Sequence, residues 1–427
     1  MLVLVRVVAL SGLRIVKGTG EPSIENGVIV IEGSLIRDVG SSGSVEVPPN
    51  ADVVELRGYT ALPGLIDAHM HLLGYRTLDM VKEPLLVPYA TRVARVVQDL
   101  RSLIEAGFTT VVDAGSDIGV PIKHALAEGT IVGPRVVSAG HVISQTFGHG
   151  DTHYLPPEYV DVRTSKLGGF SVLCDGVEEC RKAARFVLRE GADFIKICTT
   201  GGVLSERDRP EYVQFTLEEV RAIVEEAEHA GRWVHAHAQG SRGIVNALKA
   251  GVKVIAHGIF IDDEGIELAK ERNAVVVPTF AIVDQILRYG EELGTPRWGL
   301  EKAREVYEAH IENIRRAYRA GVKLATGTDF VGGTKALKHG DNAVELEIFV
   351  EKLGMSPLEA ITCATKNAAE SAGLEKRVGT LEKGKLADIV IVRGDPLTDV
   401  KLLTNRENIV AVIKEGRAIK KAITLPL

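Results

Sequence analysis

Through the middle of the chain, short apolar runs recur between stretches of helical period, while both ends alternate apolar and polar positions in the manner of hairpin strands. Near the start, "GVIVIEGSLIRDVG" (27–40) and "DVVELRGYTALPG" (52–64) alternate and close on glycine. Near the finish, "GKLADIVIVRGDP" (384–396) and "NIVAVIKEGRAIK" (408–420) do the same. These ends predict one small β-sandwich domain assembled from residues 1–60 and 381–427. The opening "MLVLVRVVAL" reads as its first strand rather than a targeting segment, because Arg6 splits an already short apolar run. Between the ends, residues 61–380 carry eight strand-like segments: "ALPGLIDAHMHL" (61–72), "FTTVVDAG" (108–115), "PRVVSAG" (134–140), "DFIKICTTGG" (193–202), "WVHAHAQG" (233–240), "KVIAHG" (253–258), "AVVVPTF" (274–280) and "VKLATGTDF" (322–330). Alternation of this kind predicts an α/β fold, a (β/α)8 TIM barrel, with an open doubly wound sheet as the other arrangement it allows. The helices carry their own punctuation. Thr216 and Glu219 stand at capping-box spacing before a periodic run that stops at Gly231, and Ser356, Pro357 and Gly373 bracket a second helix.

Composition narrows the class. The chain has 427 residues, 45% hydrophobic, with a net charge of −6, which is enough for a large core and offers no basic footprint for nucleic acid. No run reaches the roughly 18 apolar residues of a membrane span. Cys174, Cys180, Cys198 and Cys363 make no CxxC pair, which points to a reducing, cytoplasmic setting. Four Cys, four Met, five Gln and nine Asn suggest a thermophilic source. A small-molecule substrate is the expected partner, and self-association is left open.

The candidate chemistry sits at strand ends. Side chains two apart in a strand share a face, so Asp67, His69 and His71 point together, and on a barrel their strand opens onto the C-terminal rim where active sites form. Two imidazoles can share one divalent cation but do not close a site. Lys196 lies between Ile195 and Ile197, where a buried ammonium needs a partner or loses its proton; the neutral amine can take up CO2 as a carbamate. His235 and His237 repeat the spacing of two, His257 meets a glycine at its strand end, and Asp329 ends the last strand. Each alone reads equally as a satisfied polar residue. Together they gather at the ends of strands one, four, five, six and eight.

In that order, "PGLIDAHMH", "KICTTGG", "HAHAQG", "AHG", "GTD" and the late "GTLEKGKLADIVI" resemble the binuclear-metal branch of the amidohydrolase superfamily over nearly the whole chain. "SQTFGHGD" (144–151) and "KICTTGGVLSERDRPEYVQFTLEE" (196–219) are more narrowly similar to metal-dependent dipeptidases, prolidase-like and arginine or lysine carboxypeptidase-like, and to imidazolonepropionase-related enzymes. The resemblance implies two divalent ions, one held by His69, His71 and Asp329, the other by His237 and His257, with carboxylated Lys196 and a hydroxide between them. Nitrogen and oxygen donors without thiolate suit Zn2+, with Mn2+ or Co2+ as alternatives. It further implies that Asp329 carries the proton from the attacking water to the departing amine, that His149 touches substrate, and that His235 supports the site. Asp67 is expected to orient the imidazoles. Tyr154, Arg207, Arg209 and Tyr212 are candidates for holding a carboxylate or closing a lid. Phe147, where the family commonly has glycine, is expected to narrow the pocket. The expected activity is hydrolysis of dipeptides or N-acyl amino acids, with cyclic amides, arylamides or carbamates as the second substrate class. A non-catalytic assembly protein on the same fold is the third reading, and it would be expected to lack ligand residues that are all present here.

Overall fold

The structure is a computed structural model that describes residues 6–427 apart from 80, 81, 166–168, 170, 204, 206, 293 and 334. In it the apolar runs of the middle region are parallel strands in two sheets. Leu65–Met70, Phe108–Asp113 and Arg135–Ser138 form a three-stranded sheet. Seven more strands run in the spatial order Ser171–Leu173, Val142–Ser144, Ile195–Cys198, Val234–Ala238, Val254–His257, Val275–Val277 and Lys323–Leu324. Nearly every residue in these strands is buried, the pattern of a parallel sheet covered on both faces, which explains why they read as continuous apolar runs. Val142–Ser144 and Ser171–Leu173 were not expected from the sequence; three residues are too few to show a period.

Backbone hydrogen bonds also join the two sheets. On one side Ala68 N donates to Thr326 O at 2.9 Å, Asp329 N to His69 O at 2.7 Å and His71 N to Phe330 O at 2.8 Å. On the other, Asp193 N donates to Ser138 O at 2.8 Å.

Helices return between the strands, and their ends follow local rules. Thr216 and Glu219 make the expected capping box at Leu217–His229, as Ser356 and Glu359 do at Pro357–Thr362. The run after Ser356 is not one regular helix, however. Its turn widens over Cys363–Asn367, where the Cys363 carbonyl accepts from Thr326 N at 3.3 Å, a tertiary bond that helical period cannot announce. Among the described residues no helix is long and apolar enough to cross a membrane.

Both chain ends contribute to one mixed sheet of eight strands, which includes Val7–Ile15, Ile24–Glu32, Tyr59–Pro63, Ile389–Arg393 and Ile409–Lys414. The expected first strand begins at Val7, and residues 1–5 lie outside the described ones. Ile389 and Ile391 join the apolar cluster within this sheet, with Leu10, Leu13 and Ile413, whereas Val390 and Val392 face the main core. A strand buried on both sides ties the sheet to the parallel core. Arg135 pins the same junction: its guanidinium donates to Asp388 at 2.9 Å, Thr110 Oγ1 at 2.9 Å and Glu415 at 2.6 Å. Asp388 is buried and would be left as an uncompensated charge without it. Arg135→Ala is therefore expected to cost about 3 kcal/mol, read as a lower denaturant midpoint at unchanged m-value.

Candidate metal centre

The strand Leu65–Met70 delivers His69 into the interior, fully buried, with each ring nitrogen facing a different group. Nδ1 lies 2.9 Å from Nε2 of His235, and Nε2 lies 3.4 Å from both Asp329 Oδ1 and Lys196 Nζ. His71, just past the strand, donates from Nδ1 to the Gly115 carbonyl at 2.8 Å, which leaves its Nε2 lone pair 3.1 Å from Asp329 Oδ1. Gly327 permits this approach, because a Cβ there would fall 2.8 Å from His69 N, and the chain then turns through a left-handed residue, φ +58° at Asp329. His69, His71 and Asp329 each offer a donor atom within 4.8 Å of the others, a set of two nitrogens and one oxygen that fits a divalent cation.

Asp67 works differently from the expectation. Its carboxylate accepts from the backbone N–H of His69 at 3.0 Å, from Thr328 N and Oγ1 at 3.2 and 2.7 Å, and from Asn342 Nδ2 at 2.6 Å. The three from Thr328 and Asn342 fasten the His69 strand to the segment that carries Asp329, and all four are made to backbone and polar side chains instead of the imidazole rings. Burial pushes the Asp67 carboxyl up to about 6, against the pull of these donors.

The remaining expected ligands arrive from adjacent strands. Lys196 pairs in register with His235, and Ala238 with His257. The His237 and His257 rings stand 4.5 Å apart, and His257 is 5.3 Å from His69. His257 has φ +70°, places Nδ1 2.7 Å from Thr279 Oγ1, and accepts on its carbonyl from His310 Nε2 at 2.9 Å. His237 Nε2 is 3.2 Å from the Gly201 carbonyl. Burial, followed by the nearby Lys196 charge, lowers His69 to about 3, and burial holds His235, His237 and His257 well below the usual range, so these imidazoles are neutral bases. Burial lowers Lys196 to about 8. Burial alone would raise Asp329, but its close contacts with the His69 and His71 rings hold it well below the carboxylate range.

All six side chains line one cavity of about 440 Å³, together with His149 and an apolar wall that includes Leu73, Val142, Ile282 and Trp298. His149 is stacked on His237 at 4.0 Å. Tyr154 also lines the cavity; Arg207, Arg209 and Tyr212 are not among the lining residues, and Arg207 donates to the His153 carbonyl at 3.0 Å. Phe147 has the left-handed backbone that suits glycine, φ +64°, but its half-exposed ring does not narrow the pocket as expected. It stacks on His153 at 5.1 Å, outside the lining. Thr279, Gly115, His310 and Asn342 escaped the sequence reading: they are scattered polar positions whose partners are far away in the chain.

The amidohydrolase family model matches residues 60–419. The chain is 36% identical over 423 residues to the ochratoxinase of Aspergillus niger, 95% of this chain and 85% of that protein. The crystal structure of A. niger ochratoxinase superposes with a TM-score of 0.87 over 98% of this chain and 96% of that one, at 33% identity. A prolidase crystallised with N-methylphosphonate-L-proline is 32% identical, with a TM-score of 0.88 over 97% of this chain and 100% of its own. Imidazolonepropionase of Symbiobacterium thermophilum is 25% identical over 88% of this chain and 85% of that protein. Cavity and likeness together define a hydrolase of amide C–N bonds, related to prolidase-like enzymes. The chain belongs to the amidohydrolase family.

His235 holds the His69 ring by the nitrogen turned away from the donor cluster. His235→Ala is expected to weaken divalent-metal affinity roughly 10- to 100-fold in a chelator competition, with the fold unchanged by circular dichroism.

Proposed function

We propose that this chain hydrolyses the amide bond of dipeptides or N-acyl amino acids and releases the C-terminal amino acid. The observation that carries this is the convergence of His69, His71, Lys196, His237, His257 and Asp329 on one cavity, whose lining also includes apolar side chains such as Leu73, Ile282 and Trp298. His69, His71 and Asp329 would hold one divalent ion, and His237 and His257 a second, with Lys196 as a carbamate between them; Zn2+ suits these donors, and Mn2+ or Co2+ are accepted by the same set. When bound, such ions supply Lewis acidity and a nucleophilic water at neutral pH. The chain's own groups do the rest. Asp329, ionised and open to the cavity, takes a proton and returns it to the departing amine. His149 meets the substrate, and Trp298 and Ile282 receive its apolar part while excluding water. Lys196, with its amine eased toward neutrality by burial, is chemically ready for carboxylation.

The same reading includes architecture. The hydrogen bonds across both edges of the two parallel sheets support one closed (β/α)8 barrel over 61–380, and the mixed sheet supports a β-sandwich domain from 1–60 and 381–427. The likeness to enzymes named ochratoxinase and imidazolonepropionase favours a second substrate reading, arylamides, cyclic amides or carbamates.

Assay of the metal-loaded protein against Xaa-Pro, Xaa-Arg and N-acyl amino acid libraries is expected to show turnover. Inactivity on all of them, with cleavage of a ring amide, would move the assignment to the second class. Lys196→Ala is expected to lose activity by at least about a thousandfold and to recover part of it with short carboxylic acids, which replace the carbamate oxygens. Full activity in that variant would remove Lys196 from the site. Asp329→Asn is expected to retain metal by elemental analysis and lose turnover.

A further inference from the structure

The stretch "GGVLSERDRPEYVQF" contributes more to the cavity than its arginines suggested. Within it, Asp208 is fully buried and stands behind His149. His149 Nδ1 lies 2.5 Å from Ser205 Oγ and 3.7 Å from Asp208 Oδ2. Gln214 closes a ring around the pair: its Oε1 accepts from the His149 backbone N–H at 2.9 Å, and its Nε2 donates to Asp208 Oδ2 at 3.3 Å. Gly202 N donates to the other carboxylate oxygen at 3.1 Å. Gly202 also makes room for the imidazole, since a Cβ there would come within 2.2 Å of His149 Cε1. Lys302, from the helix Arg297–Arg319, secures the segment by donating to the carbonyls of Ser205 at 2.6 Å and Asp208 at 2.7 Å.

The geometry points to Asp208 as a positioning residue: acting with Ser205, it keeps a proton on Nδ1 of His149 and so aims Nε2 at the substrate. A buried carboxylate beside an imidazole selects the tautomer that faces it. A proton on Nδ1 donated to Ser205 Oγ, with the serine hydroxyl donated to Asp208, satisfies every group in the chain. His149 then turns a defined nitrogen to the cavity, between the His237 ring and Gly202. His149 lines the cavity beside Tyr154 and Ser205, where a ring held in one orientation can meet a substrate.

This inference rests on the proposed amide hydrolysis only for its kinetic arm. With an amide substrate, Asp208→Asn is expected to lower kcat/KM roughly 10- to 100-fold. In a His149→Ala background the same change is expected to add less than about twofold, because both variants remove one function. Multiplying losses, or no loss from Asp208→Asn alone, would overturn the assignment. The second arm needs no substrate: imidazole 15N spectra of the metal-free protein are expected to show Nδ1 of His149 protonated. Asp208→Asn is expected to move the His149 resonances and leave those of His235 in place. An unprotonated Nδ1, or His149 signals indifferent to Asp208→Asn, would overturn it even if no substrate had been found. Should Asp208→Asn fail to fold, Ser205→Ala, which leaves the buried carboxylate with its backbone and Gln214 partners, carries both measurements with the same expected directions.

Discussion

The Asp67 carboxylate is the fastening on which the centre depends. It receives hydrogen bonds from the His69 backbone, from Thr328 and from Asn342, and so binds a strand near residue 67 to a segment more than 250 positions later. With backbone bonds from Ala68 N to Thr326 O and Asp329 N to His69 O alongside, the arrangement leaves His69, His71 and Asp329 little freedom to part. Such preorganisation lowers the entropy lost when donors close on a cation. It also explains a buried acid that never touches the reacting space: it does its work on the backbone.

Desolvation shapes the electrostatics of what is held there. Burial of several imidazoles and one lysine favours their neutral forms, and neutral nitrogen is what a divalent ion requires. Orphaned ring nitrogens would be costly in such a place, and the fold supplies a partner for one nitrogen of each: His235 for His69, the Gly115 carbonyl for His71, Thr279 for His257 and the Gly201 carbonyl for His237. The other nitrogen is thereby directed. Asp329 is held well below the carboxylate range by its contacts with the His69 and His71 rings, against the effect of burial.

The rim of the cavity is built from loops of different origin. The His149 loop, the Ser205–Asp208 turn and the helix carrying Trp298 and Lys302 come together over the donor cluster, and hydrogen bonds among them set the shape of the cavity's polar rim. Relatives of the same family bear names as different as ochratoxinase and prolidase.

Much of this was legible in the linear order of residues. Period-two histidines, a lysine inside an apolar strand and an aspartate closing the last one are local signals, because strand geometry ties spacing directly to facing, and the capping boxes at Thr216 and Ser356 are equally local. The roles of Asp67, Phe147 and Asp208 were not legible. Asp67 shares a face with His69 yet bonds to its backbone, Thr328 and Asn342; Phe147 stacks on His153; Asp208 lies between two arginines in the sequence and meets His149 only in the fold. Each of these depends on a partner brought close only by the packing of distant strands and loops, and no pattern of neighbours along the chain encodes a contact between residues so far apart. Which types of atom could bind and react was written in the order of residues, whereas the partner of each nitrogen and oxygen was decided by tertiary structure, because hydrogen bonds are settled by position in space.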